Sequence, residues 1–301
     1  MDETWEESGP ETLAAERVEA VLRRLPPRLR VPLTRILSRW LGRTLIRATD
    51  AFLRLEVFDR AMTIAAQFFT SVLPILILAA TWASAGDSSR ISDILGMPDQ
   101  SRSVIDEAVQ GADTAAFGIA GTLLVLISAT SLSRALTRAF AAIWRVPRPR
   151  TGLRSAWRWF AVVVVLTLAV IFGNSLSQQA SVLPPREIWP IAVSVLGDVV
   201  VATFVPWVLL SGGVAARRLF PGAALFAVVM LAVRPASDVW LPRALDVSAD
   251  RYGSIGLAFT YLAWLYVVSL VFIASAVLGQ VIASDAGRLG AWVRGVSPPP
   301  T

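Results

Sequence analysis

Long uncharged apolar runs alternate with short charged ones along this chain, and that alternation predicts membrane-spanning helices rather than the helices of a water-soluble core. The first run, Ala61 to Ala83, has 23 residues without a charge. At 1.5 Å of helix rise per residue it crosses a hydrocarbon layer of about 30 Å with some tilt. Runs of the same kind place spans at about 61–83, 115–133, 159–176, 188–210, 219–238 and 257–283. The fifth is short, because only residues 219–233 are uncharged between Arg218 and Arg234. To cross, it must continue past Arg234, whose long side chain can snorkel or find a partner. The expected fold class is all-α: a polytopic membrane protein with six transmembrane helices in residues 61–284, plus an N-terminal amphipathic interfacial helix.

Upstream of the spans the pattern changes. Residues 1–32 read as an acidic to mixed cytoplasmic tail without the apolar run of a cleavable signal peptide. Over residues 33–60, Arg35, Arg39, Arg43 and Arg47 recur every four positions, while Leu33, Ile36, Leu37, Trp40, Leu41 and Leu45 fall opposite. Such a helix either lies in the headgroup region, guanidinium groups toward lipid phosphates, or packs on the rest of the protein. The span that follows almost directly favours the interfacial reading. Residues 285–301 read as a short cytoplasmic tail.

Composition sharpens the membrane reading. The chain is 55% hydrophobic and 17% charged, with a mean hydropathy of +0.60, a balance that leaves too little polar surface to solvate a soluble domain of this length. Net charge is +6, and every basic residue is arginine. Seven arginines and no acidic residue lie between Arg134 and Arg158, which taken alone resembles a nucleic-acid patch. Their position between two apolar runs makes them an orientation signal instead, and no nucleic-acid partner is expected. The segments assigned to the inner side hold 22 of the 28 arginines, and the outer ones hold Arg90, Arg102, Arg186, Arg234, Arg243 and Arg251. That asymmetry puts both termini in the cytoplasm. Arg145, Arg148, Arg150 and Arg154, with the four arginines of the amphipathic helix, are then expected to meet anionic headgroups at the cytoplasmic face.

Histidine and cysteine are both absent. Their absence removes thiolate and imidazole ligands, a His general base and a Ser-His-Asp triad, so no catalytic residue, no metal site and no cofactor is expected. What remains is polar residues at membrane depth. Asp198 interrupts the fourth span and Arg234 the fifth, at similar depths from the outer side, and the two are expected to pair across antiparallel neighbours, either as a structural staple or as a substrate or proton site. Gln67, Gln280 and Asn174 are further intramembrane polar candidates, with Gln67 and Gln280 read first as interhelical glue. Pro74 and Pro206 are candidate kinks, and Thr70 and Ser71 stand where they could re-satisfy the carbonyl that Pro74 frees.

Three pieces of the chain resemble the BrkB/YihY family of bacterial inner-membrane proteins: Phe68-Phe69-Thr70-Ser71-Val72-Leu73-Pro74; Arg138 to Pro147, with its Ile143-Trp144-Arg145 step; and Tyr252-Gly253-Ser254-Ile255-Gly256 leading to Leu262-Ala263-Trp264-Leu265-Tyr266, joined by Leu219-Phe220-Pro221-Gly222. The likeness in order and spacing runs from about residue 50 to 285. The chain departs from many relatives in carrying alanines before Ile143-Trp144, where they have an asparagine. It also has Gly279-Gln280-Val281 where they have a Gly-Ala-Glu-like step, so that carboxylate is missing here. The resemblance implies a multi-pass protein of the bacterial inner membrane that exports a lipid or lipid-like substrate, with a non-transporting envelope-integrity or scaffold role as the alternative. The family's former ribonuclease label fits poorly, since phosphodiester hydrolysis needs metal-held or base-activated water. Homo-oligomerisation is left open.

Overall fold

In a computed structural model the described residues are 40–84, 115–147 and 188–285, with 290, 291, 293 and 295 beyond them. The expected span at 159–176 and the tail 1–32 lie outside them. The described elements are helices: α1 Trp40–Arg54, α2 Val57–Ser84, α3 Ala115–Trp144, α4 Ile188–Leu209 and α5 Ala216–Ala283. Two compact units divide the chain, one of Val57–Gln280 and one of Met1–Glu56 with Val281–Thr301.

In the smaller unit, α1 covers part of the helix expected over 33–60, of which residues 33–39 lie outside the described residues. It stops at Arg54, Glu56 takes a left-handed φ of 49°, and residues 57–60 already belong to α2. The cause is a change of phase. Among the described side chains of α1, Ala48 and Ala51 are the buried ones, and an unbroken helix would next bury residues 55 and 58. Phe58 is instead exposed while Val57, Ala61, Ile64 and Ala65 are buried. Moving the buried stripe from one phase to the other requires a break between them. Within the segment expected as a tail, Asp285 forms an ion pair with Arg47 at 3.5 Å, and Ala291 and Val293 are buried.

In the larger unit, α2 packs on α3 and α3 meets α4. α3 runs on to Trp144, so Arg134 and Arg138, expected in a loop, sit on its last three turns. Leu132, Ala135, Leu136, Ala139, Phe140 and Ile143 bury one face while the two arginines are exposed on the other. The helix ends with Arg145 at a φ of 51° and the Val146 N–H donating to the Ala141 carbonyl at 3.1 Å, a six-to-one closure that satisfies an otherwise orphan carbonyl.

α4 lies within the apolar run expected as the fourth span. Its Ile191, Leu196 and Val200 are exposed, an outward surface that suits hydrocarbon better than water. Both α4 and α5 are long and apolar enough to cross a membrane.

α5 is two helices folded back on one another. Gly253, at φ 60° and ψ −141°, is non-helical. On either side of it the pairs Ser248 with Thr260, Phe226 with Phe272 and Gly222 with Gly279 meet in antiparallel register. The first arm runs from Ala216 to Tyr252, about 55 Å of helix at 1.5 Å per residue, and the second from Ser254 to Ala283. Residues 239–252, expected as a loop because they carry Arg243, Asp246, Asp250 and Arg251, are therefore helical. Spaced charges lower hydropathy without breaking a helix. Gly253 holds a backbone region nearly closed to other residues, and nothing crowds its missing side chain. Gly253→Ala is thus expected to cost about 1–3 kcal/mol through backbone strain alone, read as a lowered unfolding midpoint in detergent; an unchanged midpoint would show that the turn readjusts freely.

Candidate intramembrane polar site

α4 lies antiparallel to the first arm of α5. Ala202 joins Ala223, Phe226 and Met230 in a buried cluster edged by Val199, Val233, Val271 and Phe272. One turn farther along the same contact, Asp198 and Arg234 come face to face, and Arg234 Nη2 donates to Asp198 Oδ1 at 2.5 Å. The Asp198 side chain is 10% exposed and that of Arg234 40%. A bidentate pair would use both oxygens and two nitrogens. Here Asp198 Oδ2 and Arg234 Nη1 are buried without a hydrogen-bond partner among the described residues. The pair thus balances charge in a low-dielectric setting, while one acceptor and one donor remain for a proton or a polar ligand group.

Toward the other end of the same contact the packing is tight. Phe272 of the second arm meets Phe140 of α3 edge to face at 5.3 Å and Phe226 of the first arm at 5.2 Å. Such ring pairs contribute about 0.5–1.5 kcal/mol each beyond their buried area. The space bounded by Phe140, Trp144, Pro206, Gly222 and Phe272 amounts to about 10 Å³, too small for a substrate. Trp144 Nε1 and Thr203 Oγ1 are buried without partners among the described residues.

The other sequence candidates stand apart from this pair. Gln67 Oε1 accepts a hydrogen bond from Ser131 at 2.5 Å, which ties α2 to α3. Its backbone carbonyl accepts from Ser71 at 2.6 Å and from Thr70 at 3.1 Å, and Thr70 also donates to the Ala66 carbonyl at 3.0 Å. Thr70 and Ser71 therefore back-bond to the preceding turn and do not serve the carbonyl that Pro74 frees; a hydroxyl reaches back along its own helix more readily than forward. Gln280 is half-buried near the end of the second arm, about 20 Å along the hairpin from the level of Arg234 at 1.5 Å per residue. α2 continues through Pro74, and Pro206 is buried inside α4. Asn174 lies outside the described residues.

Of the arginines expected at lipid headgroups, Arg145 is exposed at the end of α3. Arg47 faces the Asp285 carboxylate, so its first partner is protein. Arg43 lies in α1, and Arg35, Arg39, Arg148, Arg150 and Arg154 fall outside the described residues. Sequence reasoning missed Ser131 and Asp285 as partners. A lone serine in an apolar helix and an aspartate just past a span carry no pattern that names their mates. Among the described residues, no cluster of acidic side chains could hold a metal ion.

A family model described as virulence factor BrkB matches residues 48–291, most of the chain. No curated protein and no solved structure gives a match.

Proposed function

The chain belongs to the BrkB/YihY family and is a membrane protein with apolar helices, and from that premise we propose that it is a multi-pass transporter of the bacterial inner membrane, exporting a lipid or another envelope-related substrate. The observation that carries this reading is the half-satisfied Asp198–Arg234 pair, since ionisable groups inside a membrane are expensive and mark pathways more often than packing. In this reading six spans place both termini in the cytoplasm, as the arginine asymmetry asks. Arg145, with Arg148, Arg150 and Arg154, contacts anionic headgroups there. No catalytic step belongs to the proposal: the work is transfer, not bond cleavage.

One observation favours a second reading. Farther along the α4–α5 contact, among Phe140, Trp144, Pro206, Gly222 and Phe272, the described residues leave about 10 Å³ of free space, so a path along that contact requires the helices to separate, whereas a pair that only staples α4 to α5 requires nothing more. That staple would suit a non-transporting envelope-integrity scaffold. Flux of fluorescent lipid in liposomes, with Asp198→Asn and Gln280→Leu beside the unaltered protein, separates the two. Under the transport reading Asp198→Asn, compared at equal amounts of folded protein, loses most of its flux. Flux that is absent, or indifferent to Asp198, supports the scaffold.

A further inference from the structure

The folded end of α5 carries an open groove of about 760 Å³, within the size range of small-molecule sites. Its floor is a place where the two arms approach closely. The Thr260 hydroxyl donates to Ser248 Oγ at 2.8 Å, and a side chain on Gly256 would overlap the Ser248 carbonyl. Its walls are Trp240 and Val247 from the first arm and Ile255, Phe259 and Ala263 from the second, and among the described residues Arg243 is the only charged one that lines it. From Trp240 to the turn at Gly253 the groove runs about 20 Å along the helix axis.

The position of these side chains is what calls for an occupant. Asp238, Arg243, Asp246, Asp250 and Arg251 fall within four turns of the first arm, which puts that stretch at the headgroup level and beyond it. The hairpin register carries the start of the second arm out with it, since Ser248 meets Thr260 and Arg243 stands level with Ala263. At that level, outside the hydrocarbon, Trp240, Tyr252, Ile255 and Phe259 are all exposed. An apolar patch of this kind in a polar setting marks a binding surface.

We propose that this groove binds an anionic phospholipid drawn from the adjacent leaflet, its headgroup phosphate on the Arg243 guanidinium and an acyl chain turned toward the hairpin end along Val247, Phe259 and Ile255. The shape is a long apolar trough with one cation on its wall, which matches an amphiphile with one anionic end. Guanidinium recognises phosphate with two parallel hydrogen bonds, which a zwitterionic headgroup shields with its own ammonium. The inference depends on the hairpin's place in the membrane and not on transport, so lipid capture without flux would leave it intact while ending the transport reading.

The test uses the full chain in phosphatidylcholine nanodiscs carrying a trace of phosphatidylglycerol with a photoactivatable acyl chain, the crosslinked peptide being located by mass spectrometry. Crosslinks are expected within residues 240–263. Ala263→Trp, which fills the trough, is expected to reduce them about tenfold, while Val228→Trp on an exposed face of the same arm leaves them unchanged. Arg243→Gln keeps the crosslink but removes the preference for phosphatidylglycerol over a phosphatidylcholine probe. Crosslinks insensitive to Ala263→Trp, or no headgroup preference in the unaltered protein, overturn the proposal. So does shielding of a cysteine placed at Ala263 from maleimide in lipid-free protein, since a segment of the chain would then occupy the groove.

Discussion

Asp198→Ala is expected to lower the stability of the folded protein by about 3 kcal/mol, the lower end of the range for breaking a buried ion pair. The lower end applies because the guanidinium left behind belongs to a side chain that is 40% exposed and long enough to turn outward. Arg234→Ala is the more damaging change and falls toward about 5 kcal/mol, because Asp198 is 10% exposed and its short side chain cannot reach a polar layer. The measurement is unfolding in detergent for each variant, with the double replacement Asp198→Leu and Arg234→Met as the third arm. Removing both charges together leaves neither one stranded, and an apolar pair of similar volume is often neutral or stabilising. The double variant should therefore be more stable than either single one. If it were as unstable as Arg234→Ala alone, the packing of α4 on α5, and not charge compensation, would be the reason the pair matters. A stable double variant also supplies the cleanest flux assay, because lost transport in a well-folded protein assigns the pair to function.

That Asp198 and Arg234 meet is legible in the sequence because two lone charges at matching depth in consecutive spans have few other solutions. Their spare oxygen and nitrogen are not legible, since one-point or two-point pairing depends on the distance between helix axes. α4, Ile188–Leu209, lies within the apolar run 188–210 that hydropathy picks out. Hydropathy misreads the first arm of α5 and the end of α3 for one shared reason. Charge reports where a segment leaves the bilayer, and a helix need not end where it leaves. Arg134 and Arg138 on α3, and Arg243 to Arg251 on α5, lie on helices that continue beyond the apolar run. The break at Leu55–Glu56 was hidden for a different reason: no proline or glycine marks it, and only the buried stripe, which needs the partner surfaces, shows the change of phase. The pieces that carry the family likeness acquire a physical role in the fold. Tyr252 to Gly256 is the turn of the hairpin, and Pro221-Gly222 is where the opposite arm is crossed.

At that crossing Gly279→Ala is expected to be among the most damaging single-methyl additions in the chain. A side chain on Gly279 would overlap the backbone N and Cα of Gly222, so the two arms would have to separate; no flexible side chain is there to give way. Gly222→Ala meets the Ser275 carbonyl at 3.0 Å and the Ala276 Cα at 3.3 Å, a tight fit that a shift of a few tenths of an ångström relieves. Overpacking a well-filled site costs about 1–3 kcal/mol, and Gly279→Ala belongs at or above the top of that range. The separation is passed on to the next turn, where Phe226 and Phe272 lie 5.2 Å apart and Phe272 in turn holds Phe140 of α3. Unfolding midpoints should therefore rank the unaltered protein above Gly222→Ala and Gly222→Ala above Gly279→Ala. The double alanine variant should lose less than the sum of the two, because arms already parted by one methyl accept the second at little further cost. Equal midpoints for the unaltered protein and Gly279→Ala would mean that the arms do not cross backbone to backbone at this pair. The hairpin would then be held chiefly by its phenylalanine contacts and by the Ser248–Thr260 hydrogen bond near its turn.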